Sequence, residues 1–278
     1  GFGLLVAAVV LGGLASFVIA LVLLSSGKLR ARFDRPAPGG SVYLETAAAF
    51  FAAFLGVKIV VSFAASQAGF SDDQTLRLAM GAQWGVAIMA FWALFRGVAF
   101  SRAARDLGWH RGQGVAVEVL CGVFGYLAGV SVFLAAVVLS IMVMMVRAAM
   151  QQAAGGPAPA PPENPILELV GKGGWVPIML FLLATVWAPL VEETVFRGAL
   201  YRHARSRLPV VVAAVLTAVV FGVAHGYEVL MLGPVIALGF NFAMMREWRG
   251  SLIAPVTAHF LHNATVLGFL LALLHFLR

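Results

Sequence analysis

The segment WVPIMLFLLATVWAPLVEETVFRGAL, residues 175–200, is long and apolar enough to cross a membrane as one helix. Two adjacent carboxylates, Glu192 and Glu193, nevertheless lie inside it, and Arg197 follows four residues later. A charged side chain at the centre of a bilayer costs about 3 kcal/mol or more, so it is found there only where it faces protein, water or a partner. The segment therefore predicts a membrane-spanning helix that carries a functional site.

The composition indicates a membrane protein. Of the 278 residues, 62% are hydrophobic and only 11% are charged, whereas soluble domains carry about 25% charged residues. The net charge of +7 does not indicate a nucleic-acid partner, because the arginines lie in short loops between apolar runs, where they set membrane orientation. The single cysteine, Cys121, lies in an apolar run, which excludes a disulfide framework and a thiolate metal cluster.

The apolar runs predict an all-α, polytopic membrane protein with about eight transmembrane helices. Each run approaches the 20 or so residues that a span requires. The predicted helices cover residues 2–25, 44–66, 80–100, 114–146, 175–203, 208–226, 229–245 and 251–277. The first run is too long for the apolar core of a signal peptide. The fourth is too long for one simple span, so it tilts, bends near Gly122 and Gly125, or begins with an interfacial piece that carries Glu118.

The chain divides into three regions within a single membrane domain. Residues 1–150 form an N-terminal four-helix membrane region, residues 151–174 a proline-rich extracytoplasmic loop, and residues 175–278 the catalytic membrane core. The prolines of the loop bar helix and sheet, so an extended or mobile segment is predicted there.

Basic residues are unequally divided between the two sides of the predicted membrane. One side would hold Lys28, Arg30, Arg32, Arg35, Arg96, Arg102, Arg105, Arg111, Arg197, Arg202, Arg205, Arg207, Arg246 and Arg249. The other would hold only Arg77, Arg147, Lys172 and Arg278. Since cytoplasmic loops carry the excess of lysine and arginine, the first side is predicted to be cytoplasmic. This predicts a multi-pass protein of the inner (plasma) membrane.

Two polar residues inside apolar runs allow two interpretations each. Lys58 in the second helix either snorkels toward the interface or lines a cavity. Asn241 in the seventh helix either bonds to a neighbouring helix or lines the site.

The two adjacent glutamates have different helical neighbours. Glu193 and Arg197 are four residues apart and share a face, which predicts an ion pair. Glu192 is rotated by about 100° from Glu193, so it points elsewhere, into an aqueous pocket without a charged partner. This division predicts that Glu192 acts as a general base and that Glu193 and Arg197 support it.

Two later motifs supply further polar groups at membrane depth. Phe221 and His225 share a face of the sixth helix, with the aromatic ring available to shape a pocket. His259 and Asn263 share a face of the eighth helix, and together they could donate two hydrogen bonds to a developing oxyanion.

Helix geometry predicts that these groups meet. Above the turn near Arg207, Glu192 lies about 22 Å up one helix and His225 about 27 Å up the next. His259 and Asn263 lie about 13 and 20 Å above the turn that precedes the eighth helix. The four side chains can therefore converge on one cavity in the outer half of the membrane.

The three motifs resemble those of the CPBP family, which comprises CaaX proteases and bacteriocin-processing (Abi) membrane proteases. The family pattern is EExxxR, then FxxxH, then HxxxN or HxxxD on a later helix. Here the motifs read EETVFR at 192–197, FGVAH at 221–225 and HFLHN at 259–263. The resemblance covers about residues 175–265 and is specific, because three motifs occur in the right order.

The resemblance implies an intramembrane endopeptidase with an all-helical, eight-span fold. The residues that it marks are catalytic Glu192, His225, His259 and Asn263 on helices five, six and eight, and supporting Glu193, Arg197 and Phe221. The first two would activate water, and His259 with Asn263 would stabilise the tetrahedral oxyanion.

The resemblance leaves two mechanisms open. The family has been labelled metal-dependent, but its prenyl-protein member resembles a glutamate protease that works without a metal. The chain lacks the HExxH arrangement of a typical zinc helix, which favours the metal-free mechanism and no cofactor. Zinc held by Glu192, His225 and His259 with one open position is the alternative.

The expected substrate is a membrane-anchored protein or peptide. A cavity toward the outer face favours an exported protein's sorting or leader segment. A CaaX prenyl-protein endopeptidase that opens to the cytosol is the enzyme alternative, and a non-catalytic bacteriocin-immunity or scaffold protein is another. Buried glutamate and histidine also make proton relays in transporters, but the paired broken half-helices of transporter repeats are not evident.

Overall fold

The computed structural model describes residues 2–38, 40–157, 165–172 and 174–276, and these residues contain helices and no strand. The predicted all-α class is therefore confirmed. The helices are α1 Phe2–Ser25, α2 Val42–Ala68, α3 Asp72–Phe95, α4 Phe100–Leu107, α5 Val115–Ala153, α6 Pro165–Gly171, α7 Val176–Arg207, α8 Val210–Ala224, α9 Leu232–Arg249 and α10 Ile253–Phe276. Residue 277 of the last predicted helix and Arg278 lie outside the described residues.

Seven of the described helices are long and apolar enough to cross a membrane, namely α1, α2, α3, α5, α7, α9 and α10. The chain is thus a multi-pass membrane protein. The remaining predicted span, α8, is apolar but has only 15 residues. At 1.5 Å per residue it is about 22 Å long, which is shorter than the hydrocarbon core of a typical bilayer.

The long fourth span is one helix rather than two pieces. α5 is continuous over 39 residues, so the segment that carries Glu118 is not a separate helix. Gly122 lies where α10 passes closely, since a Cβ there would lie 2.5 Å from Cβ of Thr257. Small residues allow such close helix contacts in membranes. Glu118 is buried and forms an ion pair with Arg249 at 2.7 Å.

The proline-rich region is more helical than predicted. α5 extends to Ala153, and α6 occupies Pro165–Gly171, where an extended segment is expected from composition. Proline is tolerated at the first residue of a helix, because the N–H that it lacks would be unpaired there in any case. Residues 158–164 and residue 173 of the predicted loop lie outside the described part of the chain.

One end of the helix bundle gathers the basic loops. The backbone N–H of Arg32 donates to the carbonyl of Glu247 at 3.0 Å, and the N–H of Leu252 donates to the carbonyl of Gly108 at 2.9 Å. These bonds join the loops that follow α1, α4 and α9. We call this the basic end. It contains the basic loops that the sequence places on one side of the membrane.

Arg197 is an exception to that grouping. The sequence count places it with the loop arginines, but the structure places it inside α7 with 1% of its surface exposed. Its ion pair with Glu193 explains the difference, because a paired guanidinium can remain inside the bundle.

The two ambiguous polar residues are resolved by their contacts. Asn241 donates a hydrogen bond to the backbone carbonyl of Gly125 at 3.2 Å, so it joins α9 to α5. Lys58 is exposed, with its ammonium 4.5 Å from the centre of the Phe54 ring. Neither residue lines the cavity described below.

Aromatic and aliphatic packing holds α7 at the centre of the fold. Trp187, Val191 and Phe196 of α7 form one buried cluster with residues of α2, α3 and α8. A second cluster joins α5, α9 and α10. The first cluster fixes α8 against α7, and hydrogen bonds from His259 and Asn263 join α10 to α7.

Candidate active site

The helix that carries the two glutamates is irregular on both sides of them. π-helical turns occupy Leu183–Trp187 and Glu193–Leu200. In these turns the N–H groups of Ala188 and Tyr201 donate to the carbonyl groups five residues earlier. Such π-helical turns are rare in proteins as a whole, and those that occur are often found at functional sites.

Glu193 has two hydrogen-bond donors at one oxygen. Arg197 Nη1 donates to Glu193 Oε1 at 2.9 Å, and His259 Nδ1 lies 2.8 Å from the same atom. Glu193 is fully buried, so the predicted ion pair is present and has little contact with solvent. The arginine also donates to the carbonyl of Gly239 at 3.0 Å and lies over the ring of Phe221 at 4.3 Å.

Glu192 has a different environment from its neighbour. Its side chain lines a cavity, and its Oε2 atom has no hydrogen-bond partner among the described residues. His259 Nε2 lies 4.0 Å from that oxygen. This distance is too long for a direct hydrogen bond. Glu192 is therefore placed as the sequence predicts, toward the cavity and without an ion-pair partner bonded to it.

The contact with Glu193 fixes the orientation of His259. A carboxylate oxygen accepts, so Nδ1 carries the proton in that bond. The remaining nitrogen, Nε2, faces Glu192. The neutral ring would therefore offer an acceptor at Nε2, and a donor there requires the imidazolium form.

His225 is oriented in a similar way by the backbone. Its Nδ1 lies 2.7 Å from the carbonyl oxygen of Phe221, one helical turn earlier. The carbonyl accepts, so the neutral ring carries its proton on Nδ1 and offers Nε2 as a hydrogen-bond acceptor. The centre of the His225 ring lies 4.6 Å from the centre of the Phe221 ring. The centre of the Phe221 ring lies 6.0 Å from that of His259. Phe221 thus lies between the two imidazoles.

Asn263 is held by the first π-helical turn. Its Nδ2 donates to the carbonyl of Ala184 at 2.6 Å. An amide nitrogen has two hydrogens, so this bond uses one and leaves one.

The four predicted catalytic side chains line one cavity of about 350 Å³. Among the described residues, its remaining polar lining is Tyr227 and His262, and its apolar lining comes from α5, α6, α7, α8, α9, α10 and the residues just before α9. The structure therefore brings the motif residues of three helices together.

Sequence reasoning missed two cavity residues. The Tyr227 ring stacks on that of His225 with centres 6.0 Å apart, and His262 packs against Phe133 at 4.9 Å. Tyr227 could have been noticed because it follows the motif histidine His225 by two residues. It lies beyond the end of α8, however, where helical spacing does not predict the direction of a side chain. His262 lies between the motif residues His259 and Asn263 in sequence, and the cavity is broad enough to contact it as well.

The described residues do not form a ready metal site. Among them, no group of three histidine, cysteine, aspartate or glutamate side chains is arranged to hold a metal ion. The two histidine Nδ1 atoms are bonded to a carboxylate and a carbonyl, as they also are in many zinc sites. These bonds leave the Nε2 atoms of His225 and His259 available to a ligand, and the mechanism below is written with the side chains of this chain alone.

Comparison with known proteins identifies the segment that contains this site. Residues 174–265 match the family model described as type II CAAX prenyl endopeptidase, Rce1-like. This segment extends from the start of α7 into α10 and includes every motif residue. The matched segment is therefore similar to an Rce1-like domain of the CPBP family, as the motifs predict.

One curated relative has no described activity. A protein of Escherichia coli, named an uncharacterized 24.3 kDa protein, is 32% identical over 121 residues, which cover 41% of this chain and 55% of the relative. The match thus spans about half the length of that relative. No solved structure gives a significant match.

Proposed function

We propose that this chain is an intramembrane endopeptidase in which Glu192 activates the water that hydrolyses a peptide bond. The observation that carries the proposal is the unbonded Glu192 carboxylate, which faces His259 across 4.0 Å in a cavity within the helix bundle. Glu193 takes the structural ion pair, which leaves Glu192 available for chemistry.

The proposed reaction begins with a water molecule beside Glu192. The carboxylate takes one proton from this water as its oxygen attacks the scissile carbonyl carbon, and a tetrahedral oxyanion forms. The protonated Glu192 then delivers that proton to the departing amine as the C–N bond breaks. His225, on the same cavity wall, would orient the water through Nε2.

In this proposal, Asn263 and His259 stabilise the oxyanion. Asn263 has one amide hydrogen left after its bond to Ala184. His259 can donate only from Nε2, because Nδ1 is bonded to Glu193. Its donation therefore requires the imidazolium, for which Glu193 and Glu192 are the neighbouring counter-ions. Removal of one such donor commonly costs about 10²–10³ in kcat.

The position of three lining residues favours a substrate outside the cytoplasm. Ile166 of α6, Tyr227 and Met231 line the cavity. They lie near the start of α7 and the end of α8, at the opposite end of these helices from the basic turn at residues 208–209. If the basic end is cytoplasmic, the enzyme resides in the plasma membrane and trims an exported protein's sorting or leader segment.

The rival substrate is a prenylated CaaX tail. It is favoured by the description of the matching family model and by the many apolar residues that line the cavity. This function requires access from the cytoplasm, the side on which prenylated tails occur.

A two-substrate assay tests the proposed function. Purified protein in lipid vesicles is given an internally quenched peptide with a C-terminal transmembrane anchor and, separately, a farnesylated CaaX peptide. We expect cleavage of the anchored peptide and unchanged cleavage in the presence of a chelator. Cleavage of the farnesylated peptide alone would support the rival, and loss on chelation with recovery on adding zinc would overturn the metal-free mechanism.

The orientation is tested by cysteine labelling. Glu168→Cys on α6 and Arg207→Cys at the basic end are placed singly in a Cys121→Ala background, since both positions are exposed. The positive-inside rule places the basic end, and so Arg207, in the cytoplasm. In spheroplasts, a membrane-impermeant maleimide is therefore expected to label the Glu168→Cys variant about tenfold faster than the Arg207→Cys variant, or more. Preferential labelling of the Arg207→Cys variant would reverse the substrate side.

A further inference from the structure

The carbonyl group of Ala184 has lost its helical donors. In an α-helix this oxygen would accept from the N–H of residue 188, and in a π-helix from that of residue 189. The N–H of Ala188 instead donates to Leu183. Residue 189 is Pro189, which has no N–H. Neither helical pattern therefore supplies a donor to Ala184.

Asn263 provides the missing donor. Its Nδ2 donates to the Ala184 oxygen at 2.6 Å across the interface between α10 and α7. Unpaired carbonyl groups inside a membrane protein are costly, so a carbonyl without a helical donor binds an available side-chain amide. The bond fixes the carboxamide plane and leaves its second N–H as the available donor at the cavity.

We infer that Pro189 is a positioning residue that orients Asn263 toward the reacting carbonyl by leaving the Ala184 oxygen free to accept its amide. The inference rests on the proposed function for its catalytic consequence, whereas the hydrogen bond itself is independent of any reaction. Pro189 acts through Asn263 and does not contact substrate in this role.

Three substitutions distinguish the effect of the absent N–H of Pro189 from the effect of its side-chain size. Pro189→Ala, Pro189→Ser and Pro189→Val all restore a backbone N–H but differ in size. The turn can then relax toward an α pattern in which Ala188 donates to Ala184. Because misplacement by about 1 Å can cost about 10²-fold in rate, we expect each variant to lose kcat by roughly 10-fold or more, with little change in KM. A loss that follows side-chain size instead would overturn the inference.

A double-mutant cycle tests the link to Asn263. Asn263→Ala alone is expected to lower kcat by about 10²-fold or more, as for other oxyanion donors. The double variant Asn263→Ala/Pro189→Ala should have the same kcat as Asn263→Ala alone, because Pro189 then has no amide to orient. Independent, multiplicative losses would show that Pro189 acts elsewhere. Pro177→Ala is the matched control, because Pro177 lies in the first turn of α7, where an absent N–H has no helical partner; it should retain activity.

An NMR measurement tests the same bond without a substrate. The chain has three asparagines, Asn164, Asn241 and Asn263, so protein labelled with ¹⁵N-asparagine gives three side-chain amide pairs, and the Asn263→Ala variant assigns one. We expect one Asn263 amide proton to be shifted downfield and slow to exchange, and both features to be lost in Pro189→Ser. If the proton stays slow to exchange in that variant, the inference fails.

If the NMR result holds while neither assay peptide is cleaved, the proposed function fails and the positioning bond stands.

Discussion

Replacing Glu192 by glutamine is expected to lower kcat by about 10³-fold while leaving the thermal stability of the protein nearly unchanged. A carboxamide cannot accept a proton from water, and loss of a general base commonly costs 10²–10⁴-fold in rate. The fold should tolerate the change because Oε2 of Glu192 has no hydrogen bond to lose among the described residues. The measurement is cleavage of the anchored peptide in vesicles, with thermal unfolding in detergent for stability.

The matched control is Glu168→Gln on α6. It removes the same charge from an exposed position, where the side chain forms a surface ion pair with Lys172 at 3.5 Å. We expect it to retain turnover. A Glu192→Gln enzyme that cleaves at the wild-type rate would exclude Glu192 as the base, and Glu193, bonded to two donors, would be a poor substitute.

Local spacing predicts part of this site. The Glu193–Arg197 pair follows from a separation of four residues on one helix, and the structure contains it at 2.9 Å. The rotation of Glu192 away from Glu193, by about 100° per residue, follows from the same geometry. These predictions succeed because helical periodicity depends on the chain alone.

Contacts between distant segments could not be predicted in this way. His259 bonds to Glu193 across 66 positions of sequence, and Glu118 pairs with Arg249 across 131. Helical spacing carries no information on which faces of separate helices meet. The bond to Glu193 also changes the chemistry expected of His259, because it determines which ring nitrogen faces the cavity.

Proline chemistry explains two further differences from expectation. In the 151–174 region the prolines suggest an extended segment, but Pro165 occupies the first position of α6, where it fits. Within α7, Pro189 closely follows the π-helical turn Leu183–Trp187, which the apolar pattern does not reveal. Hydropathy predicts that a segment spans the membrane, but not how its hydrogen bonds are arranged.

Arg197→Met is expected to destabilise the protein by about 3–5 kcal/mol, the typical cost of removing one partner of a buried ion pair. The substitution would leave Glu193, which is fully buried, without its guanidinium partner. The double variant Glu193→Gln/Arg197→Met should recover much of this loss, since no uncompensated charge remains and the Gln oxygen can still accept from His259. Unfolding by denaturant in micelles measures the free energy of each variant.

Burial, rather than the ion pair itself, is the cause of the expected effect. Arg77 and Asp73 provide the test, because they have the same four-residue spacing and the same 2.9 Å distance, but both side chains are more than half exposed. Exposed pairs contribute at most about 1 kcal/mol, so Arg77→Met should change stability little. Equal losses for Arg77→Met and Arg197→Met would contradict the argument.

A second buried pair separates stability from catalysis. Arg249 is bonded to buried Glu118 at the basic end, and neither lines the cavity. Arg249→Met should therefore destabilise the protein about as much as Arg197→Met, yet the fraction that remains folded should retain the wild-type kcat. Arg197→Met should lower kcat of the folded fraction as well, because Glu193 loses its counter-ion and so holds His259 in a different charge environment. Equal kcat values for the two variants would confine Arg197 to a structural role and leave His259 to be oriented by Glu193 alone.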